Sequence, residues 1–422
     1  MCNHVIDQPR QTLPFEKKYR LADFFDSHWD DYVKNPAHFI KPEQYKAVNA
    51  IRLCRTDALG KDIYRCSNCN QTIAIHHSCK NRFCPTCSWS DTLKWGDKMQ
   101  QMLLNIPHRH VVITLPHALN NLIKCNQKEL TAALLSISAQ VITDYILTTF
   151  GIKAGVIGVL HTFGEQKNFH VHVHMIVSWG GIKASTLEQV ALANPYINFN
   201  DLKELFKTKY LRKIKLLYKK QNLVHRFASK EAFDKFIDSL ACQKWIIHLE
   251  PPMKIPTQVI TYIGRYSKRA CLSEYKITKM GDEKISFRYK DYKKTNSFGK
   301  PQEKELELHY SEFFPRLLQH VPLPRFRMVR YYGIYNSSCQ IVKKYRLSKQ
   351  QNASVPTEST AEAILETIEA QAQEFTDTII CMHCKGQMLY IKTEIKRDTH
   401  EMISYEKQSL IARNETVHER VA

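Results

Sequence analysis

The stretch Gly155–Trp179, GVIGVLHTFGEQKNFHVHVHMIVSW, places two β-branched apolar runs on either side of one polar turn. Gly155–Phe163 and Phe169–Trp179 read as strands, and Gly164–Asn168 is the short polar connection that an antiparallel hairpin requires. The second run alternates, with His170, His172 and His174 set against Val171, Val173 and Met175. Alternate side chains of a strand share a face and sit about 6.6 Å apart along it. His172 and His174 can therefore reach one cation while the aliphatic set packs behind the sheet. A polar face on an edge strand is the plainer reading of the same pattern.

Working outward, His110–Leu115 (HVVITL) is a short β-branched run ended by Pro116. Glu129–Phe150 follows with Leu134, Ile137, Val141, Tyr145 and Ile146 at helical spacing, a packing face. Leu202–Leu223 predicts a basic amphipathic helix, and Pro256–Ala270 a helix with proline in its first turn. Ile277–Thr278 and Lys284–Tyr289 predict weaker strands, and Leu21–Val33 and Pro42–Leu53 predict N-terminal helices. Strands and helices alternate, but the hairpin makes the sheet partly antiparallel, so the fold class is α+β.

The 422 residues carry 61 Lys+Arg and 41 Asp+Glu, a formal charge of +20. Residues 351–422 hold 12 acidic and 7 basic side chains, which leaves +25 on residues 1–350. Such an excess disfavours an acidic-surface enzyme and points to a polyanionic partner. Ser348–Thr360 reads as a linker, and Ala361–Phe375 as a helix beyond it. The first twenty residues are mostly polar, and no uninterrupted apolar run has the roughly 18 residues of a membrane span, so no membrane partner and a cytoplasmic location are expected. In a reducing compartment, clustered cysteines are metal ligands before they are disulfides.

Cys66-x2-Cys69 and Cys84-x2-Cys87 are two knuckles of the kind that complete a tetrahedral zinc site, with Cys79 between them. Cys54, His76 and His77 are alternative ligands, or ligands of a second ion. The zinc is expected to be structural. Cys381-x2-Cys384 is half a knuckle with no pair after it, and no metal is expected there.

Tyr262 and Tyr266, four residues apart in the Pro256–Ala270 helix, share a face one turn apart and are flanked by Arg265, Lys268 and Arg269. Val259, Tyr262, Ile263 and Tyr266 also make an i, i+3, i+4, i+7 stripe that suits a core. A phenol with a pKa near 10 needs a neighbouring cation to act as phenolate, and the basic flanks suggest nucleophiles facing a phosphodiester. Phe287–Lys294 interleaves rings with Arg288, Lys290 and Lys293, and Leu202–Leu223 carries many lysines. Both suit a single strand of nucleic acid, through phosphate neutralisation and base stacking.

These blocks carry a resemblance. CRTDALG (54–60), SCKNRFCPTC (78–87), HVVITLPH (110–117), LHTFG (160–164), HVH (172–174), YIGRYSKRA (262–270) and FRYKDY (287–292) occur here in the order found in one family. The chain resembles rolling-circle transposases of the insertion sequence 91 family, the two-tyrosine members of the HUH endonucleases, over roughly residues 21–333. The resemblance implies a helical, zinc-binding N-terminal domain (1–105) and an HUH nuclease domain with a mainly antiparallel sheet flanked by helices (106–335); the shift in charge and the linker composition leave 336–422 as a linker with a C-terminal appendage. It implies that His172 and His174 hold magnesium or manganese at the scissile phosphate of single-stranded DNA, from transposon ends and target. Tyr262 and Tyr266 would attack in turn as 5′-phosphotyrosines. Two histidines rarely hold a hard ion alone, so Glu165 or His161, just before the HVH strand, is expected as the third ligand. The family often has Gln where Glu165 stands; either side chain offers an oxygen. A replication initiator or relaxase shares this chemistry. A non-catalytic zinc-ribbon regulator, or a zinc hydrolase using His170, His172 and His174, would not need the tyrosines.

Overall fold

A computed structural model describes residues 19–88, 92, 95–96, 99, 102–192, 198–253, 259, 270–295, 299, 301–352, 379–396 and 402–406. Its centre is a five-stranded antiparallel sheet made of β3 (His108–Thr114), β5 (Gly155–Phe163), β6 (Phe169–Ser178), β9 (Ile246–Leu249) and β13 (Val329–Gly333), in the order β13-β5-β6-β3-β9. The hairpin read from the sequence is its middle pair, with its turn at the expected residues; β6 stops one residue short of the expected end.

One face of this sheet is aliphatic. Val111, Ile113, Val171, Val173, Met175 and Leu160 are all at most 5 % exposed and pack with the helix Gln127–Phe150. Burying each such side chain contributes roughly 1.5–3 kcal/mol, which fixes the strand register because a one-residue slip would turn the histidines inward. That helix is long and apolar enough to cross a membrane. Its Leu130, Leu134, Leu135 and Val141 are fully enclosed by the sheet and by the amphipathic helix Phe199–Lys219, so its apolar content belongs to the core. It ends at Gly151, whose φ of +67° provides the left-handed C-terminal cap. The lysine-rich helix presents Leu202, Phe206, Tyr210 and Ile214 to the same core.

The opposite face carries a second cluster that includes Ile157, Ile176, Ile334, Tyr335, Trp95, Met99 and Val259. Of the expected helix Pro256–Ala270, only Val259, which is helical and fully buried, and Ala270 are described. Tyr262, Arg265, Tyr266, Lys268 and Arg269 lie outside the described residues, as do 353–360 of the expected linker and the expected helix 361–375. Residues 348–352 of that linker continue the helix Gln340–Asn352.

α1 (Leu21–Lys34) and α2 (Pro42–Leu53) pack Phe24, Phe25, Trp29 and Ile51 against Ile285, Phe287, Phe313 and Phe314. The last four come from the three-stranded sheet β10 (Ile277–Met280), β11 (Lys284–Thr295) and β12 (Pro301–His309), and from the helix Tyr310–Leu318. Residues 277–318, expected within the nuclease domain, thus share a core with the N-terminal helices. Phe287, read from the sequence as a stacking ring, is fully buried there.

A further sheet has the order β15-β14-β1-β2, pairing β1 (Lys61–Cys66) and β2 (Thr72–His76) with β14 (Met388–Lys396) and β15 (Met402–Glu406). Its register sets Lys61 opposite Glu394 and Cys66 opposite Met388. The segment expected as a separate C-terminal appendage is therefore half of the sheet that carries the first cysteine knuckle.

Candidate functional site

Antiparallel pairing sets His161 of β5 directly opposite His172 of β6, and Val112 of β3 opposite His174. His161, His172 and His174 consequently converge, each offering a ring nitrogen, with all three nitrogens within 4.8 Å of one another. His172 Nε2 and His174 Nε2 are 3.1 Å apart. Two nitrogens each about 2.1 Å from one ion at a right angle would be about 3 Å apart, so the spacing fits shared coordination. Burial, reinforced by the neighbouring imidazoles and His161 first among them, holds His172 and His174 well below the ordinary imidazole range, which keeps them neutral as ligands must be.

Their outer nitrogens are also held. His172 Nδ1 lies 3.1 Å from the carbonyl oxygen of His170, to which it donates, leaving Nε2 with its lone pair. His174 Nδ1 lies 2.8 Å from His110 Nε2. His110 is 3 % exposed, and burial, with lesser contributions from His248 and His161, pushes it down to about 4. In the sequence, His110 reads only as the start of a β-branched run. The signal it carries is its parity, since it lies two residues before Val112, the partner of His174, and diagonal neighbours across an antiparallel pair are within reach of long side chains.

Two sequence expectations differ from this arrangement. Glu165 is not in the histidine cluster. Its Oε2 accepts from Lys276 Nζ at 3.0 Å and from the backbone N–H of Lys290 at 3.2 Å, tying the hairpin turn to the β10–β11 unit. Burial works to raise its pKa, but Lys276 and the two hydrogen bonds hold it below the usual carboxylate value. The other candidate, His161, stands among the histidines. His170, needed by the hydrolase reading, contributes its carbonyl and not its ring.

The cysteines are also regrouped. The two knuckles expected to share one ion are in different clusters. Cys54, Cys79, Cys84 and Cys87 gather their sulfurs within 4.8 Å, and so do Cys66, Cys69, Cys381 and Cys384. Spacing alone misdirects here because each knuckle's partner is distant in sequence. The hydrogen bonds among these close sulfurs hold the Cys54 thiol below its ordinary range and push those of Cys79 and Cys87 above it, so the four share charge as one group. His76 and His77 instead meet Asp57 and Asp62, at 3.2 and 2.9 Å.

Of the expected DNA contacts, Arg288 and Lys290 are exposed on β11, where Tyr292 is 69 % exposed, while the side chain of Lys293 lies outside the described residues. In the lysine-rich helix, Lys207 and Lys209 pair with Glu204 and Asp144.

A mixed helix and antiparallel-sheet protein with paired cysteine clusters and a histidine-faced sheet is the class these features define. Comparison with known proteins gives the family. Residues 24–115 match the domain described as "Transposase zinc-binding domain" and residues 155–342 the one described as "Putative transposase". The chain is 27 % identical over 383 residues to "Putative transposase y4qJ" of Sinorhizobium fredii, covering 88 % of this chain and 94 % of that one. It is 26 % identical over 359 residues to "Transposase for insertion sequence element IS801" of Pseudomonas savastanoi pv. phaseolicola, covering 82 % and 83 %. No solved structure matches it significantly. Over both matched domains the chain is similar to transposases of the insertion sequence 91 type, with the zinc-binding domain nearer its N-terminal end.

Proposed function

We propose that the protein nicks and joins single-stranded DNA through 5′-phosphotyrosine intermediates during rolling-circle transposition of its element. The observation that carries this reading is the convergence of His161, His172 and His174 on one side of the sheet, with the outer nitrogens of His172 and His174 occupied and their Nε2 atoms 3.1 Å apart. Val259 supports it as well, since it joins the cluster of Ile157 and Ile176, which lie on that same side. Tyr262 and Tyr266, outside the described residues, stand three and seven positions after Val259 in the sequence.

In this reading the three imidazoles would hold a divalent cation, manganese or magnesium, which when bound would withdraw charge from the scissile phosphate. The donor set is all nitrogen, which suits manganese better than magnesium, a cation that prefers oxygen. The phenol oxygen of Tyr262 or Tyr266 attacks phosphorus, the bond to the 3′ oxygen breaks, the 3′-hydroxyl leaves protonated and the phenolic proton passes to solvent. The new ester conserves the bond energy, so the second tyrosine can repeat the exchange and transfer the strand without ATP. Arg265, Lys268, Arg269, Arg288, Lys290 and Lys293 would neutralise backbone phosphates on the approach. Cys54, Cys79, Cys84 and Cys87, all inside the region that matches the zinc-binding domain, would hold a structural zinc.

Incubating the full chain with single-stranded oligonucleotides from the element's ends and manganese tests the proposal. The expected product is protein joined covalently to a 5′ end, lost in Tyr262→Phe/Tyr266→Phe. A mobility shift with no cleavage would instead make the protein a DNA-binding regulator, and cleavage without any adduct a hydrolase.

A further inference from the structure

The second cysteine cluster is built from opposite ends of the sequence. Cys66 ends β1 and Cys69 follows it, while Cys381 and Cys384 precede β14. The two turns repeat one another in detail. Cys66 N–H donates to the Gln71 carbonyl at 2.8 Å, and Cys381 N–H to the Gly386 carbonyl at 2.8 Å. Asn70 N–H returns to the Cys66 carbonyl at 3.2 Å, and Lys385 N–H to the Cys381 carbonyl at 2.9 Å. Asn70 and Lys385, four residues after the first cysteine of each turn, have φ of +59° and +62°. Left-handed backbone at a non-glycine residue is uncommon, and its repetition at matched positions marks two copies of one knuckle.

The knuckles also face each other. Cys66 Sγ is 3.4 Å from Cys384 Sγ and Cys69 Sγ is 3.6 Å from Cys381 Sγ. Four thiolates around a tetrahedral zinc at about 2.3 Å have sulfurs about 3.8 Å apart, whereas a disulfide would need about 2.05 Å. The spacing suits an ion at the centre. Four sulfurs with no oxygen or nitrogen donor select zinc over magnesium, calcium or manganese.

We propose that Cys66, Cys69, Cys381 and Cys384 form a second zinc centre that clasps the C-terminal strands β14 and β15 onto the N-terminal sheet. Each thiol gives up its proton to solvent as the ion binds, so occupancy of the clasp rises with pH. Among the first cluster's cysteines Cys54, Cys84 and Cys87 are buried, but Cys69 and Cys384 of the clasp are exposed. The clasp is therefore the ion that exchanges first, and its loss frees the C-terminal segment while the first centre stays filled. This inference is independent of the nuclease chemistry above.

Zinc is counted per chain on the purified full-length protein by mass spectrometry, and its release to a colorimetric chelator is followed in time. The expected result is two ions per chain leaving in two phases, and one slowly released ion in Cys381→Ser/Cys384→Ser. A single ion in the wild type, or two retained by the double variant, overturns the proposal. A measurement on the unmutated protein guards against misfolding of the variant. Hydrogen exchange across Leu389–Ile395 should accelerate at least tenfold as the fast phase of zinc leaves, and exchange that does not change with that phase overturns the clasp.

Discussion

His110 Nε2 and His174 Nδ1 lie 2.8 Å apart across β3 and β6, so the outer nitrogen of one candidate metal ligand is held by an imidazole of the neighbouring strand. For His174 to present a lone pair at Nε2, its Nδ1 must carry the proton and donate it to His110. Burial keeps His110 neutral and able to accept. Residues that orient a ligand in this way typically affect metal affinity by about 10- to 100-fold. His110→Ala is expected to raise the divalent cation concentration needed for half-maximal DNA cleavage by about that factor, with little loss at saturating metal. His110→Gln, whose side-chain oxygen can accept from His174, should recover part of it. Titration of cleavage against manganese checks both, and equal curves for the wild type and the alanine variant would remove His110 from the site.

The third ligand separates two sequence candidates. His161 stands with His172 and His174, while Glu165 is tied to Lys276 and Lys290. His161→Ala is expected to lower metal-dependent cleavage at least about 100-fold, whereas Glu165→Gln, which keeps an acceptor for the Lys290 amide, should change it less than about threefold. Because the donors are imidazoles, manganese should support cleavage at lower concentration than magnesium, and a chelator should abolish it. Comparable loss in Glu165→Gln, or a preference for magnesium, would assign the third ligand to the carboxylate.

Much of this architecture is legible in the sequence, for identifiable reasons. The central hairpin is readable because alternation in HVHVHMIV is unbroken and one polar turn divides the runs. The long helix is readable because Gln127–Phe150 is a long, largely apolar stretch with no Gly or Pro to interrupt it. Phe287 misleads because interleaved rings and cations suit an exposed surface as well as a strand with one buried face, and only the packing against α1 and the helix Tyr310–Leu318 decides between them. The cysteine sets mislead because ligands near in sequence, such as Cys69 and Cys84, are separated, while Cys66 meets Cys384 from the far end of the chain. Long-range register of this kind has no local signature. The same holds for His110, whose role depends on which strand lies beside β6.

Glu274 binds two parts of the N-terminal unit to the β10–β12 unit. It is 4 % exposed, and its Oε1 accepts from the Leu21 N–H at 3.1 Å and from the Thr86 hydroxyl at 3.0 Å. The first bond places a carboxylate at the N-terminus of α1, where the helix dipole favours negative charge. The second reaches the Cys84–Cys87 knuckle. Glu274→Ala leaves both donors buried without this acceptor and should cost about 1–3 kcal/mol, with Glu274→Gln milder. The expected readout is a lower first thermal transition and faster zinc release from the Cys54, Cys79, Cys84 and Cys87 centre. An unchanged transition would mean that water replaces the carboxylate at no cost.

Two buried histidines outside the candidate site add to the acid sensitivity that the buried histidines of the site already impose on the fold. His320 Nε2 donates to the Lys167 carbonyl at 3.0 Å, and its Nδ1 accepts from the Thr162 hydroxyl at 3.0 Å. Burial pushes it down to about 3, and pushes His108, fully buried against Tyr335, down to about 4. Both pKa values are lower in the folded chain than the roughly 6.5 of the unfolded one. The unfolded state therefore binds more protons below that value, and stability is complete above it and lost as pH falls through the window toward 4 and 3. At pH 5 each histidine should cost about 2 kcal/mol relative to pH 7.5. Thermal unfolding followed between those two pH values should show this decline. His320→Gln, which can make the same two hydrogen bonds without titrating, should be less stable at pH 7.5 yet flatter in its pH dependence. A variant that declines as steeply as the wild type would locate the acid sensitivity elsewhere.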